Sequence, residues 1–204
     1  MCIRDSPITY VQYQAFIDAP DGFDRDEWWS EMPEEYKKQT MEDQYFKYAN
    51  HPRESVSWYQ AIAFCRWLTV KLGYVVTLPI EQQWEKVARG TDGRIYPYGN
   101  EFVAAKGNTS ETGIGQTSAV GLFPDGASPY GVLDLSGNVW EWCLNQYNDP
   151  TQTGVNASGE RRGVRGGSWR SARDNARAVC RDYGDPSYWS SGIGFRVVRD
   201  SSPI

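Results

Sequence analysis

The sequence predicts an α+β domain with much irregular structure. Its 204 residues are 40% hydrophobic and include nine Trp and thirteen Tyr, which is enough apolar material for one large core. The 20 Gly and 11 Pro are spread along the chain, and this favours many turns and short strands over a helical bundle. We therefore expect a single compact domain.

Apolar runs and cysteine spacing indicate the cellular compartment in which the protein is expected. No apolar run approaches the length of a membrane span, and the N-terminus lacks the apolar core of a signal peptide. The four cysteines, Cys2, Cys65, Cys143 and Cys180, form no CxxC pair and lack the spacing of a small disulfide-rich domain. The expectation is a cytoplasmic protein with free thiols and no membrane partner.

Charge is unevenly distributed along the chain. Residues 18–43 carry ten acids and three bases, whereas residues 161–199 carry nine Arg and three Asp. Three interpretations stay open: contact between the two regions, steering of a ligand, and simple solvation, which is the usual one.

The clearest helix runs from Ser57 to about Leu72. Ser57 and Gln60 match a capping box, apolar residues recur on one face, and Gly73 supplies a left-handed stop. Weaker patterns predict helices over 8–17 and 80–88 and a short strand over 74–77. The stretch Leu133–Trp142 alternates apolar and polar residues and predicts a strand after a tight turn.

Domain boundaries follow from the same patterns. Residues 1–6 look unrelated to the following chain, so we expect them to lie outside the domain, as a sequence-end artefact or a cut through a longer protein. Residues 7–204 form the single domain. Within it, residues 18–50 are acidic and aromatic, and we interpret them as a covering insertion that packs Trp28 and Trp29 on the rest.

A segment of different character lies between two glycine-rich ends, Arg165–Trp169 and Gly192–Val198. The ends are typical of framework and the middle of a binding surface. Tyr and Trp give rigid contact area, while Ser, Gly and Asp give adaptable hydrogen bonding, as in antibody loops. The candidate ligand-binding residues are Arg170, Ser171, Asp174, Asp182, Tyr183, Gly184, Ser187, Tyr188, Trp189, Ser190 and Ser191.

Short pieces over nearly the whole chain carry a family resemblance. They are, in order, Ile8–Tyr13, Val56–Cys65, Leu78-Pro79 with Glu81, Trp84-Glu85, Ala88–Gly90, Ile95–Asn100, Asn108–Glu111, Ser128–Gly131, Gly137–Trp142, Arg165–Trp169 and Gly194–Arg196. With these pieces the chain resembles the formylglycine-generating enzymes and their relatives, the sulfatase-modifying-factor domains. The resemblance implies a C-type lectin-like fold: a small twisted antiparallel sheet, two main helices and much irregular structure. The family's strands before the place of Ile8 are missing, which favours N-terminal truncation.

The family's oxidase chemistry is not expected here. In the catalytic members two cysteines follow the aromatic residue of the Gly-Gly-Ser segment, and they bind copper. Their places hold Ser171 and Ala176, which cannot replace a thiolate, and Cys180 alone makes no pair. The sulfoxide synthases of the same fold hold iron with several histidines, whereas this chain has only His51, a turn residue by its surroundings. A non-enzyme is therefore expected, with a formylglycine-generating-type oxidase or other protein-modifying enzyme as the alternative.

A second resemblance fits better. Variable proteins of diversity-generating retroelements often use this lectin-like domain, with a hypervariable segment between a Gly-Gly-Ser-Trp start and a Gly-Phe-Arg-Val end. Residues 169–192 have this framing, which adds Cys180, as the product of an altered Tyr codon, and Gly192 to the candidate residues. The resemblance implies a protein that binds a macromolecular ligand, by preference a protein. A sensor or interaction domain of a longer protein is a further alternative.

Nucleic acid is the less favoured partner. The arginines of this region and the aromatic residues Tyr183, Tyr188 and Trp189 would suit a nucleic acid. However, four arginines lie at framework-like positions, where internal salt bridges are the commoner use; these are Arg173, Arg177, Arg181 and Arg196. For the same kind of reason, Trp140 and Trp142 are expected to fill a core and not to line a pocket.

The family resemblance also implies a structural calcium site. Its ligands would be the side chain of Asp134, the carbonyls of Gly137 and Val139, and the carboxylate of Glu141, and hard oxygen ligands from a tight turn suit Ca²⁺. An equally weighted alternative for Glu141 is a salt bridge or a backbone-capping role. No other cofactor is expected.

Overall fold

The computed structural model describes residues 2–36, 43–155 and 158–200. Within them the helices are α1 (Tyr10–Asp18), α2 (Trp58–Leu72) and α3 (Glu81–Arg89). The strands are β1 (Cys2–Ile3), β2 (Val76–Thr77), β3 (Trp140–Gln146), β4 (Arg162–Arg165), β5 (Arg181–Gly184), β6 (Ile193–Gly194) and β7 (Val198–Arg199). Short strands, few helices and long loops between them confirm the predicted α+β class.

The strands form two small sheets. One has the order β1-β7-β2 with antiparallel neighbours, and the other has the order β5-β4-β3-β6. In the second sheet β3 and β6 run parallel, whereas the other neighbours are antiparallel. Strand β5 therefore lies at an edge of the four-stranded sheet. It belongs to residues 169–192, which hold the candidate ligand-binding residues and are called the candidate segment below.

Helix α2 forms as predicted, with both of its ends set by local chemistry. The Ser57 hydroxyl accepts a bond from the Gln60 N–H at 3.2 Å, and the Gln60 side chain accepts one from the Ser57 N–H at 2.8 Å. Gly73 ends the helix at φ 70°, and its N–H donates to the Thr69 carbonyl. The buried face of α2 packs its Phe64 ring 5.5 Å from that of Phe195, which joins the helix to the C-terminal framework.

The acidic insertion packs its aromatic residues on α2. Trp28 and Trp29 are both buried, and the Arg66 guanidinium of α2 donates to the Trp28 carbonyl at 3.0 Å. Tyr36 stacks on Tyr59 with ring centroids 5.3 Å apart. The described parts of the insertion are residues 18–36 and 43–50, since 37–42 lie outside the described residues.

Two regions differ from the sequence expectation. Residues 2–6 are not separate from the domain, because β1 pairs with β7 and places Ile3 opposite Val198. A two-residue strand has no periodicity that a sequence pattern can reveal. The strand expected over Leu133–Trp142 begins only at Trp140, because Asp134 and Asn138 adopt left-handed conformations, with φ of 56° and 70°.

Among the described residues, no helix combines the length and the apolar character needed to cross a bilayer.

Candidate ligand-binding site

A pocket of about 580 Å³ lies on one face of the four-stranded sheet. Its apolar floor consists of Trp140 from β3, Val164 from β4 and Ile193 from β6. Trp140 lies directly opposite Ile193 across the β3–β6 pair. Val164 lies opposite Trp142, which is two residues further along β3. Trp142 fills the core as predicted, whereas Trp140 is only partly buried and faces the pocket.

Most of the candidate segment's residues surround this floor. The candidates that line the pocket are Arg170, Ser171, Asp182, Tyr183, Gly184, Tyr188, Ser190 and Gly192. The lining residues that sequence reasoning missed are Trp140, Arg161, Val164, Ser168, Asp185 and Ile193. Trp140, Val164 and Ile193 lie on strands, Arg161 and Ser168 lie just before and after β4, and Asp185 precedes Pro186. Nothing local in the sequence distinguishes these positions.

The remaining candidates lie outside the pocket. Ser187 donates its hydroxyl to Asp185 Oδ1 at 2.6 Å, and the Ser191 carbonyl accepts a bond from the Trp169 indole at 2.9 Å. Trp189 is 39% exposed beside the pocket. These contacts support the loop that carries the lining residues.

Asp174 and Cys180 belong to a separate region. Asp174 pairs with Arg177 at 3.5 Å, and the Cys180 N–H donates to the Arg177 carbonyl at 2.9 Å. Burial raises the pKa of the half-buried Cys180 thiol, which keeps it neutral near pH 7. The structure therefore does not bring these two candidates together with the others.

Two main-chain bonds to residues outside the segment hold it without any of its side chains. The N–H of Trp58, at the start of α2, donates to the Pro186 carbonyl at 3.1 Å, and the Ser55 N–H donates to the Ser190 carbonyl at 3.0 Å. Strand β5 adds a backbone ladder to β4. Side chains in this segment can therefore change without loss of these main-chain bonds.

Gly184 is an exception among the candidates. It is buried, and a Cβ atom built at this position would overlap the Trp142 ring. Gly184 thus lines the pocket with backbone surface only, and a larger residue at this position would have to displace the Trp142 ring.

Two tyrosines line the pocket with exposed rings, and Tyr183 has ring contacts of its own. Tyr183 is 43% exposed, and its ring lies 4.9 Å from that of Tyr147. The Arg161 guanidinium lies 4.4 Å from the Tyr183 ring centroid, within the range of a cation–π contact. Tyr188 is 53% exposed. Tyr183 is thereby held in one orientation before any ligand binds.

Internal salt bridges were predicted for four framework arginines, and two of the four have them. Arg181 pairs with the buried carboxylate of Glu81 at 2.7 Å, and Arg196 pairs with Glu141 at 2.6 Å. Arg177 pairs with Asp174 on the surface, while Arg173 is exposed.

The positions expected to replace the family's cysteines are both buried. Ser171 is 8% exposed, and its Oγ accepts a bond from the Ser168 N–H at 3.0 Å. Ala176 is fully buried. His51 lies elsewhere, with Nδ1 at 2.9 Å from Thr117 Oγ1, and burial lowers its pKa below 6.5. No nucleophile with an adjacent base results from these contacts.

The contacts of Glu141 do not fit a calcium ligand set. Both of its carboxylate oxygens accept bonds from Arg196, at 2.6 and 2.7 Å, and one also accepts the Trp84 indole N–H at 2.7 Å. A cation therefore already neutralises this carboxylate. Asp134 accepts a bond from the Gly121 N–H, and burial raises the pKa of its carboxyl, which disfavours a bare anionic ligand. The ion-pair alternative for Glu141 fits these contacts.

Two small sheets, three short helices and a loop-bordered pocket define a C-type lectin-like domain of the formylglycine-generating-enzyme type. The chain belongs to the family of the sulfatase-modifying factor enzyme 1-like domain, whose family model matches residues 1–201.

Relatives of this chain include proteins described as inactive and proteins described as enzymes. The inactive C-alpha-formylglycine-generating enzyme 2 of Bos taurus is 36% identical over 163 residues, which cover 72% of this chain and 50% of that protein. The formylglycine-generating enzyme of Mus musculus is 31% identical, with 76% and 46% covered. The chain thus spans about half the length of these two relatives.

A solved structure shares the fold. Treponema denticola variable protein 1 superposes with a TM-score of 0.71 at 20% identity, and the match covers 96% of this chain and 82% of that one. This likeness establishes the scaffold, and similarity to inactive relatives is consistent with a non-enzyme.

Proposed function

We propose that this chain is a non-enzymatic ligand-binding domain that presents the side chains of residues 169–192 to a macromolecular ligand, as a variable protein of a diversity-generating retroelement. One observation carries the proposal. Most residues that surround the pocket floor belong to one segment, and the main chain of that segment is held by the bonds from Ser55 and Trp58. A surface built in this way tolerates changes in contact residues.

The pocket also has the composition of a protein-binding site. An apolar floor supplies area that loses water on binding, and the exposed rings of Tyr183 and Tyr188 supply rigid anchors. Serine hydroxyls and charged groups surround them as a polar rim. A volume of about 580 Å³ is large enough for side chains of a partner protein.

The oxidase alternative rests on the enzymatic relatives, and the cysteine positions oppose it. Ser171 and Ala176 offer no thiolate to copper, and the neutral thiol of Cys180 lies outside the pocket. Incubation with copper and a Cys-containing sulfatase peptide is therefore expected to yield no formylglycine by mass spectrometry. Detection of that product would overturn the proposal in favour of the enzyme.

Ligand binding is tested with binders selected from a displayed random peptide library against the wild-type domain. Simultaneous replacement of Tyr183, Tyr188 and Trp189 by Ala should abolish binding of most selected peptides and leave thermal stability nearly unchanged. A matched control replaces three exposed apolar residues outside the pocket, Val70, Leu122 and Tyr130, by Ala. Equal losses in both variants, or an unfolded test variant, would count against the proposal.

The retroelement part of the proposal is tested at the DNA level. A reverse transcriptase gene and a near-copy of the last coding segment should lie near this gene. The near-copy should differ from the coding segment only where it has adenine. An isolated gene without such a copy would leave a ligand-binding domain outside any retroelement.

A further inference from the structure

One corner of the pocket holds a serine hydroxyl whose hydrogen has no protein acceptor among the described residues. The Ser168 and Ser171 Oγ atoms lie 3.0 Å apart, and Ser171 Oγ also accepts the Ser168 N–H. Only one of the two hydroxyls donates to the other, so one hydroxyl hydrogen has no acceptor among the described residues. Both serines are buried, at 2% and 8% exposure, and both line the pocket. A buried donor without an acceptor favours an acceptor supplied by a ligand.

The guanidinium of Arg170 lines the same corner. Its Nη2 donates to Ser191 Oγ, and its Cζ lies 4.6 Å from the Trp169 ring centroid. The Arg170 Nε lies beside Gly192, where a Cβ atom would come within 3.5 Å of it. The side chain is therefore held from two sides before a ligand arrives. Within the described residues no carboxylate lies within 4 Å of its charged nitrogens.

Gly192 links these groups. A Cβ atom there would come within 3.3 Å of Ser168 Oγ, so Gly192 leaves the space between the serine pair and Arg170 open. Ser190 also lines the pocket, and its Oγ accepts a bond from the Gly192 N–H at 3.3 Å. The hydroxyl hydrogen of Ser190 is not used in this bond. Hydroxyl donors and a rigid guanidinium thus converge on one space without an anion of their own.

We infer that this corner, formed by Ser168, Ser171, Ser190 and Arg170, binds a carboxylate of the ligand. This inference rests on the proposed ligand-binding function and names the ligand's chemistry. Guanidinium and hydroxyl donors match the two oxygens of a carboxylate, and charge-assisted bonds of this kind are roughly twice as strong as neutral ones.

The pocket's own acids do not oppose this assignment. Asp182 uses Oδ1 for the Tyr183 N–H, and Asp185 uses Oδ1 for Ser187. Asp182 lies on β5 and Asp185 follows it, whereas Ser168, Ser171 and Arg170 follow β4. The second oxygen of each acid is left for donor groups of the same ligand.

The test uses small probes and ¹H–¹⁵N spectra of the whole chain. Acetyl-glutamate amide represents an acidic side chain, and acetyl-glycine represents a chain terminus. Acetyl-glutamine amide and acetyl-glycine amide are their neutral controls. We expect saturable shifts of the Ser168, Ser171 and Gly192 amide signals with at least one acid and with neither neutral control. The tighter acid identifies the source of the carboxylate.

Two variants separate this site from general charge effects. Arg170→Gln should weaken binding of the acid at least tenfold, whereas Arg173→Gln, an exposed arginine of the same segment outside the pocket, should leave it unchanged. Equal shifts with acids and amides, no shifts at all, or retained binding in Arg170→Gln would overturn the inference.

Failure of the inference and failure of the proposed function give different results. If selected peptides depend on Tyr183 and Tyr188 but are indifferent to Arg170→Gln, only the carboxylate assignment fails. If no selected peptide depends on the pocket, the ligand-binding proposal fails with it.

Discussion

Glu141 and Arg196 form an ion pair in which neither side chain is exposed to solvent. The two bonds between them measure 2.6 and 2.7 Å, and Arg196 also donates to the carbonyls of Leu133 at 2.9 Å and Arg4 at 3.1 Å. The pair therefore ties β3, which carries Trp140 of the pocket floor, to the chain between β6 and β7. The sequence contains both residues in recognisable pieces but does not show that they meet.

Replacement of Arg196 by Met is expected to lower the free energy of unfolding by about 3–5 kcal/mol, because Glu141 is left buried without its counter-charge. Urea unfolding at neutral pH measures the change. The control is Lys71→Met, which removes an exposed pair with Asp21 and should change stability within experimental error. Similar small losses in both variants would show that the buried pair contributes little.

Gly184→Ala is expected to destabilise the fold by about 1–3 kcal/mol, since the new methyl group must displace the Trp142 ring from a packed core. Ser187→Ala, three residues further along the same segment, loses only a surface hydrogen bond to Asp185 and should have a much smaller effect. Thermal unfolding of the two variants side by side checks this. A Gly184→Ala variant as stable as the wild type would show that the Trp142 ring can move aside at little cost.

The ion pairs of Glu81 predict a pH dependence. Burial is the largest single effect and would raise the pKa of Glu81, but hydrogen bonds from Arg181 and Asn145 and the charges of Arg181 and Arg165 together outweigh it and hold that pKa below 4.5. A carboxyl with a lowered folded pKa stabilises the fold above its unfolded pKa, and this contribution is lost as the pH falls through the folded value.

Glu81→Gln is therefore expected to be less stable than the wild type near neutral pH, and the difference should shrink as the pH falls below 4.5. Urea unfolding at a series of pH values measures this difference. A difference that stays constant with pH would mean that packing of the side chain, and not its charge, is responsible.

Calcium is expected to leave the midpoint of thermal unfolding unchanged, because Arg196 and Trp84 already occupy both oxygens of Glu141. A specific ion at 100 times its dissociation constant would add about 2.7 kcal/mol to the stability. Thermal scans in calcium and in a calcium chelator decide between these outcomes. A clear stabilisation by calcium, absent with magnesium, would restore the ligand set proposed from the family resemblance.

Local sequence signals account for the helices. Ser57, Gln60 and Gly73 determine the ends of α2 through contacts within a few residues, so the pattern alone is sufficient. The prediction of the C-type lectin-like fold depended on the family resemblance instead. Two-residue strands such as β1 and β6 leave no periodic pattern, and their pairing depends on partners far along the chain.

The candidate site was predicted only where it is continuous in sequence. Eight lining residues belong to one unusual segment; seven, among them Tyr183 and Tyr188, were recognised by composition, and Gly192 by the family resemblance. Trp140, Val164 and Ile193 lie on three strands, and only their register brings them to one floor. Arg161 precedes β4 and has no distinguishing neighbour in the sequence. Its role appears only when its guanidinium is seen over the Tyr183 ring.

The two carbonyl contacts at Pro186 and Ser190 have a consequence for how such a protein could diversify. Because Trp58 and Ser55 hold the segment through its main chain, exposed side chains of the segment could be exchanged without loss of these two bonds. Copies of this domain that differ only at exposed contact residues such as Tyr188 would then keep similar melting temperatures. Mutations confined to the codons of such exposed residues would then change the contact surface, and nearly all of the resulting chains would still fold.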